Sequence, residues 1–158
     1  MFEYEGKLYY FPLDENHITL TYGMNRPAHL GYDINNKYKY KALNKPVYSI
    51  CDNLKVVEVA YSDSDRYGNY VILYDEDTIS YFLFAHLNLI NVELNQIVSH
   101  DTIIGTVGLS GWCNPKNTGH LHFEVRKTFN MRRCAVPING IELHKYYKRK
   151  DDKIWLKE

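Results

Sequence analysis

The sequence is poor in cysteine and has no long apolar run. Its 158 residues include three cysteines, Cys51, Cys113 and Cys134, and no pair of them has Cys-x-x-Cys spacing. An odd number without that spacing excludes a disulfide framework and a zinc knuckle. No run of about 18 apolar residues occurs, so the sequence predicts no membrane insertion.

The chain also lacks an excess of charge of either sign. Its Lys and Arg residues number 19 and its Asp and Glu residues 19, so the formal net charge is +0. Nucleic acids and anionic membranes attract basic proteins, and neutrality therefore argues against either as the main partner. We interpret the local basic cluster of Lys37, Lys39, Lys41 and Lys45 as a solvated loop.

Long helical patterns, internal repeats and linkers are absent as well. Short alternating or apolar runs recur instead, separated by Gly, Asn and Asp, at 17–22, 46–50, 54–60, 69–74, 79–87, 102–107 and 120–126. This pattern predicts a mostly β, antiparallel structure. The length predicts a single domain over residues 1–158, with Ile141–Glu158 as a short closing helix or strand, or a frayed end.

The most informative segment is Gly119–Arg126, where two histidines lie one residue apart. Side chains alternate between the faces of a strand, so His120 and His122 would share one face and the apolar residues between and after them the other. Two imidazoles side by side above an apolar layer predict a metal site or a proton-transfer site.

Two further segments offer partners for these histidines. As a strand, 29–34 would place His29, Gly31 and Asp33 on one face, with the glycine leaving room for an ion or a substrate. His86 ends an apolar run, and burying its imidazole alone would cost a few kcal/mol, so it needs a partner or a pocket. A catalytic zinc takes three protein ligands and keeps one position open.

These motifs, in this order, resemble the lysostaphin-like (LytM-type) zinc endopeptidases of peptidoglycan. The resemblance rests on His29-x-x-x-Asp33, on Ala85-His86-Leu87 and on His120-x-His122-Phe-Glu-Val. Framework segments resemble the same family at Tyr22–Asn25, Pro46–Ser49, Tyr67–Val71 and Ile104–Gly111. The match covers residues 19–137 and leaves 138–158 as a C-terminal closing segment or tail.

The resemblance implies the chemistry of the site. It implies one Zn²⁺ per chain, with His29, Asp33 and His122 as the metal ligands. It makes His86 and His120 the catalytic pair, which would accept the proton of the attacking water, pass it to the leaving amine and stabilise the oxyanion. The division of these roles stays open. Tyr22 would contact the substrate through its hydroxyl group.

The resemblance also implies a compact antiparallel β fold of the duplicated hybrid type, with an open substrate groove. The expected substrates are stem or bridge peptides of bacterial peptidoglycan, and both glycine bridges and D-alanyl cross-links stay open. The loops 34–45 and 111–119 depart from the family pattern and would border the groove. The oligomeric state is not predicted.

Two other functions remain as alternatives. One is a non-catalytic relative that binds peptidoglycan or activates another hydrolase. The other is a phosphocarrier with paired histidines, which Asp33 disfavours because a carboxylate would repel a phosphohistidine.

The N-terminal segment has no apolar stretch of the kind that a signal peptide needs. We therefore expect a protein that acts on the cell wall in one of three ways: as a virion-associated protein, as a phage or prophage lytic protein released by a holin, or as a domain of a longer secreted protein.

Overall fold

The computed structural model describes residues 1–24, 29–36, 41–63, 65–113, 119–129 and 134–149. All regular structure within these ranges is β, which confirms the predicted fold class. The strands are β1 Phe2–Tyr4, β2 Lys7–Tyr9, β3 Glu15–Leu20, β4 Tyr32–Asn35, β5 Pro46–Tyr48, β6 Leu54–Ala60, β7 Asn69–Asp75, β8 Ser80–Ile90, β9 Ile97–Val98, β10 Ile103–Val107, β11 Leu121–Arg126, β12 Ala135–Val136 and β13 Tyr146–Lys148.

Eleven of these strands form one antiparallel sheet, and β1 and β2 form a separate hairpin. The main strand order is β13-β3-β4-β11-β8-β7-β6-β9; β10 pairs with β5 and β8, and β12 pairs with β11. The central strand β11 lies between β4 and β8, so segments far apart in sequence become neighbours. His122 is opposite Asp33 on one side and opposite Ala85 on the other.

Strand β11 is buried along its whole length. On one face, Leu121, Phe123 and Val125 belong to the hydrophobic core. Phe123 packs against Phe82 and Phe84 of β8. The opposite face carries polar side chains that are also buried, and buried polar groups need partners. This face forms the floor of the candidate site.

Some predicted boundaries are wrong. β4 begins at Tyr32, so residues 29–31 are not part of a strand, and His120 precedes β11. His29 is held instead by backbone hydrogen bonds, from its own N–H to the Met24 carbonyl and from the Gly23 N–H to the His29 carbonyl, both 2.7 Å. The sequence patterns also missed the short strands β1, β2, β9 and β12.

The C-terminal segment closes the sheet as a strand. β13 pairs with β3, which places Tyr146 opposite His17; residues 150–158 lie outside the described ranges.

The predicted solvated loop agrees with the structure at Lys41 and Lys45, whose side chains are exposed. The other members of the basic cluster fall in 37–40, outside the described residues, as does the 114–118 part of the second predicted groove loop. The part of the chain that the structure describes contains no helical segment with the length and hydropathy of a membrane span.

Candidate metal centre and catalytic cleft

Three side chains from two strands and a loop converge on one point. Asp33 Oδ1 lies 2.9 Å from Nδ1 of His122 and 3.0 Å from Nε2 of His29. The two imidazole nitrogens are 3.2 Å apart. These three atoms form a nearly equilateral triangle beside His122 and Asp33, the central residue pair of the β4–β11 pairing.

The tautomers of the two histidines are fixed by their outer contacts. Nδ1 of His29 lies 3.2 Å from the carbonyl oxygen of Thr21, and Nε2 of His122 lies 2.8 Å from a carboxylate oxygen of Glu124. Since both outer partners only accept hydrogen bonds, the two outer nitrogens must donate. Nε2 of His29 and Nδ1 of His122, the nitrogens that face Asp33, therefore keep their lone pairs for a cation, which can be a proton or a metal ion.

The donor set fits zinc. Bonds of about 2.0–2.1 Å in a tetrahedral site place ligand atoms about 3.3 Å apart. The triangle has edges of 2.9–3.2 Å, so a small expansion would seat an ion on it. Two imidazoles and one carboxylate are also a common ligand set for catalytic zinc, with one position left open.

The electrostatics agree with a cation site. Burial raises the pKa of Asp33, but hydrogen bonds from His122 and His29 outweigh burial and hold that pKa well below its usual range. Burial lowers the pKa of His122, but Asp33 and Glu124 raise it to about 9. A proton on His122 therefore takes the place that a cation would occupy, and a bound metal ion would displace it.

Behind His122 lies a buried polar chain that the sequence analysis missed. The fully buried Glu124 accepts hydrogen bonds from His122, from Nε of Arg126 (2.7 Å) and from the hydroxyl of Tyr67 (2.9 Å). Burial raises the pKa of Glu124, but His122 and Arg126 outweigh it and keep the pKa below its usual range. The available signal was the alternation of polar residues at 122, 124 and 126, which share one strand face.

His86 and His120 lie beside this centre, with ring centroids 4.9 Å apart. Nδ1 of His86 is 2.8 Å from the Ser110 carbonyl and must donate to it, which leaves Nε2 as an acceptor. Nε2 of His120 lies 3.6 Å from Oδ2 of Asp33. Burial and the neighbouring imidazoles lower the pKa of His86 to about 3, and burial outweighs Asp33 to lower that of His120. Both rings are therefore neutral at pH 7.

The backbone at His86 is strained. Its φ is +62°, a conformation that non-glycine residues adopt at a cost of about 1–3 kcal/mol. The surrounding structure holds it there: the His86 N–H donates to the Tyr67 carbonyl and the His86 carbonyl accepts from the Gly108 N–H, both at 2.9 Å. Strain of this kind is concentrated at functional sites.

The five histidine and aspartate side chains face an open cleft of about 320 Å³. Arg66 and Trp112 stand at its rim, where Arg66 is exposed and Trp112 is 74% exposed. The lining residues within the described ranges are His29, Asp33, Arg66, Tyr67, His86, Trp112, His120 and His122. An exposed indole and a guanidinium beside buried histidines can bind a polar peptide.

The structure also gives the positions of two further residues singled out from the sequence. The hydroxyl of Tyr22 donates to the Ala135 carbonyl at 3.0 Å, and Tyr22 is not among the lining residues. The expectation that Gly31 makes room for an ion or a substrate is wrong. A Cβ at Gly31 would lie 2.3 Å from the Phe123 carbonyl oxygen and 2.8 Å from Cγ of Glu124, so the glycine makes room for β11.

Solved structures share this fold. Lysostaphin, an antimicrobial peptidase from Staphylococcus simulans, is 25% identical, with a TM-score of 0.65 over 77% of this chain and 47% of that one. A zinc-containing peptidase from Vibrio cholerae is 25% identical, with a TM-score of 0.66 over 87% and 41%. The chain thus spans less than half the length of these two proteins.

The fold also occurs in a separate catalytic domain. The catalytic domain of the prophage-encoded M23 protein EnpA from Enterococcus faecalis is 22% identical, with a TM-score of 0.62 over 77% of this chain and 88% of that one. At this identity the likeness shows the fold alone. No curated protein matches the chain.

The family comparison covers the whole site. The model of peptidase family M23 matches residues 27–135, which is more than half of the chain and includes the candidate metal centre, both neighbouring histidines and the strands that carry them. The predicted resemblance to lysostaphin-like and LytM-type peptidases is confirmed, and the chain belongs to peptidase family M23.

Proposed function

We propose that this protein is a zinc-dependent endopeptidase that hydrolyses peptide cross-links or bridges of bacterial peptidoglycan. The observation that carries the proposal is the convergence of His29 Nε2, Asp33 Oδ1 and His122 Nδ1 on one point, with the outer nitrogens of both histidines committed as donors. Membership of a peptidase family and the likeness to lysostaphin support the reaction class and the wall substrate. The Vibrio cholerae neighbour, described as zinc-containing, supports the metal.

His29, Asp33 and His122 would hold one zinc ion per chain. When bound, zinc supplies Lewis-acid chemistry: it polarises a carbonyl group and makes water a competent nucleophile near neutral pH. Glu124 orients His122 and keeps its Nδ1 directed at the ion. Arg126 neutralises Glu124 and holds its other oxygen.

The proton transfers fall to His86 and His120. His86 offers a neutral imidazole with a free Nε2, because its Nδ1 is committed to the Ser110 carbonyl. Such a group accepts a proton from the attacking water and returns it to the leaving amine. His120 would hydrogen-bond the oxyanion of the tetrahedral intermediate through the N–H group of its neutral ring. Exchange of these two roles is compatible with the same geometry.

The alternative is a non-catalytic relative that binds peptidoglycan. The completeness of the site disfavours it, since every group that hydrolysis needs faces one open cleft. A binding protein has no use for two neutral histidines beside a cation site.

The rim of the cleft fits a peptide that runs over the metal centre. Trp112 offers an apolar face and Arg66 a positive charge to backbone carbonyls or to a carboxylate of the peptide. The proposed place of action is the bacterial cell wall, whether the protein is carried by a virion, released by a holin or part of a longer secreted protein.

The test is the release of free amino groups from purified peptidoglycan of several cross-link types. Release that stops with chelator and returns with zinc supports the metallopeptidase, and the wall type that responds identifies the bond. His86→Ala protein with its zinc in place is the matched control, because it keeps the metal ligands. No release from any wall by zinc-loaded wild type would overturn the proposal in favour of the binding function.

A further inference from the structure

We propose that His86, Cys113 and His120 form a second metal site, which binds a thiophilic cation such as Cd²⁺ or a second Zn²⁺ and thereby inhibits the enzyme. The binding half of this inference stands on geometry alone. The inhibitory half rests on the proposed function, because it needs His86 and His120 to be catalytic.

The three side chains already lie close together. Each offers one ligand atom, and these atoms are within 4.8 Å of one another. Donors in a tetrahedral site with Zn–S bonds of about 2.3 Å lie roughly 3.5 Å apart, so the three groups need to approach by about an ångström. The thiol is half-buried and both imidazoles are buried, so a bound ion would be sheltered from water.

One backbone carbonyl orients two of the three groups. The Ser110 carbonyl accepts Nδ1–H of His86 at 2.8 Å and the thiol of Cys113 at 3.5 Å. Nε2 of His86 therefore keeps its lone pair for a metal. Ser110 thus fixes the tautomer of His86 as Glu124 fixes that of His122 in the first centre. The Cys113 N–H also donates to the Gly111 carbonyl at 2.9 Å, which fixes the backbone at Cys113.

The two centres differ in chemistry. The first offers nitrogen and oxygen, whereas the second offers sulfur and nitrogen, which soft cations prefer. On binding, the thiol S–H bond breaks, its proton passes to solvent and the thiolate forms the bond to the ion. Burial and the charge of Asp33 raise the pKa of Cys113 to about 12, so the free thiol carries its proton at neutral pH. One proton is therefore released for each ion bound.

An ion at the second centre would inhibit without displacing the first. It would engage the imidazole lone pairs of His86 and His120, which the proposed proton transfers require. Inhibition would therefore appear with the catalytic zinc still in place. This separates the second centre from an ordinary exchange of the catalytic metal.

The other cysteines provide matched controls. In the described part of the chain, neither Cys51 nor Cys134 belongs to a group of metal-ligating side chains. Both are half-buried like Cys113, so a serine at either position tests for a general effect of losing a thiol.

The binding experiment titrates Cd²⁺ into protein that already holds one zinc ion, and follows the ultraviolet charge-transfer band from thiolate to cadmium. The first centre contains no sulfur, so cadmium that exchanges into it gives no band. We expect one cadmium per chain to saturate the band in wild type, Cys51→Ser and Cys134→Ser. Cys113→Ser should give no band, because it removes the sulfur from which the charge transfer arises, and its affinity for cadmium should fall by at least roughly 10–100-fold.

The activity experiment measures amine release with one and then two equivalents of zinc, each variant being compared with its own rate at one equivalent. Wild type should lose most of its rate and Cys113→Ser should not. The site is overturned if no band appears, if Cys113→Ser keeps it, or if a control loses it. A band without inhibition overturns the inhibitory half. A band in protein that cleaves no wall supports the site while the proposed function fails.

Discussion

The Nε2–H group of His122 donates to Oε1 of Glu124 across 2.8 Å. Glu124 is fully buried and takes two more hydrogen bonds, from Arg126 and Tyr67. This pair directs the other nitrogen of His122 at Asp33 and raises its basicity, as carboxylates do for metal-binding histidines. We therefore predict that Glu124 positions His122 as a ligand of the proposed zinc ion.

Glu124→Gln is expected to weaken zinc binding by about 10–100-fold, because the amide can accept the hydrogen bond but lacks the charge that makes His122 a strong ligand. Competition against a chromophoric chelator measures the affinity. The control is Glu58→Gln, which removes a carboxylate that accepts from the Tyr70 hydroxyl at 2.6 Å on the β6–β7 pair. Equal zinc affinity in both variants would show that Glu124 has no positioning role.

The histidines should divide into two groups when each is replaced by alanine. His122→Ala is expected to lose both zinc and activity, because it removes one of three ligands. His86→Ala and His120→Ala are expected to keep zinc and lose activity, by about 10²–10⁴-fold for loss of a general acid or base. Elemental analysis of the desalted proteins and amine release from peptidoglycan give the two measurements. If His86→Ala lost its zinc, His86 would have to be reassigned as a metal ligand and one of the three proposed ligands as a catalytic residue.

Gly31→Ala should destabilise the protein more than a glycine substitution in open space. The new Cβ would meet the Phe123 carbonyl oxygen at 2.3 Å and push β11 away from β4; overpacking of this kind costs about 1–3 kcal/mol. Zinc affinity should fall as well, since the ligands lie on both strands. Denaturant unfolding gives the free energies.

Gly6→Ala is the control for Gly31→Ala. Gly6 has a φ of +74° and nothing within 4 Å of its added Cβ, so only the backbone cost of about 1 kcal/mol is expected. Zinc affinity should stay at the wild-type value. A smaller loss of stability in Gly31→Ala than in Gly6→Ala would contradict the assigned role of Gly31.

The buried carboxylate of Asp75 should make stability depend on pH in the acid range. It accepts from Lys7 at 2.8 Å and from the Tyr9 hydroxyl at 2.7 Å. Burial raises its pKa, but these hydrogen bonds outweigh burial and lower it below the ordinary 3.8. The Asp75 carboxylate is therefore protonated less readily in the folded chain than in the unfolded chain. Its contribution to the free energy of unfolding is complete above pH 3.8 and is lost as the pH falls below that value.

The free energy of unfolding, measured against pH for wild type and Asp75→Asn, tests this. The difference between the two should shrink below pH 3.8, with a slope of at most about 1.4 kcal/mol per pH unit for one proton. Asp77→Asn, which alters the exposed second partner of Lys7, is the control and should keep the wild-type profile. A constant difference between wild type and Asp75→Asn across the acid range would contradict the prediction.

Much of the fold could be predicted because alternation is a local property. The runs at 54–60, 69–74 and 79–87 correspond to β6, β7 and β8 to within a few residues at each end. The short strands β9 and β12 were missed because two residues carry no periodicity; pairing with β6 and β11 makes them strands. His29 was assigned to a strand because alternation alone cannot show where pairing with β11 stops.

The sequence by itself determined the type of chemistry: the five histidine and aspartate side chains, their order and the apolar alternation around them are properties of residues and spacing. The tertiary structure decided how those side chains are used. Asp33 and His122 are 89 residues apart and meet only because β4 and β11 pair in one register. The packing of β11 between β4 and β8 buries Glu124 behind His122 and makes Gly31 a packing residue. The Ser110 carbonyl, which contacts His86 of β8, brings Cys113 to the proposed catalytic histidines. Each of these depends on long-range contacts, which residue spacing does not encode.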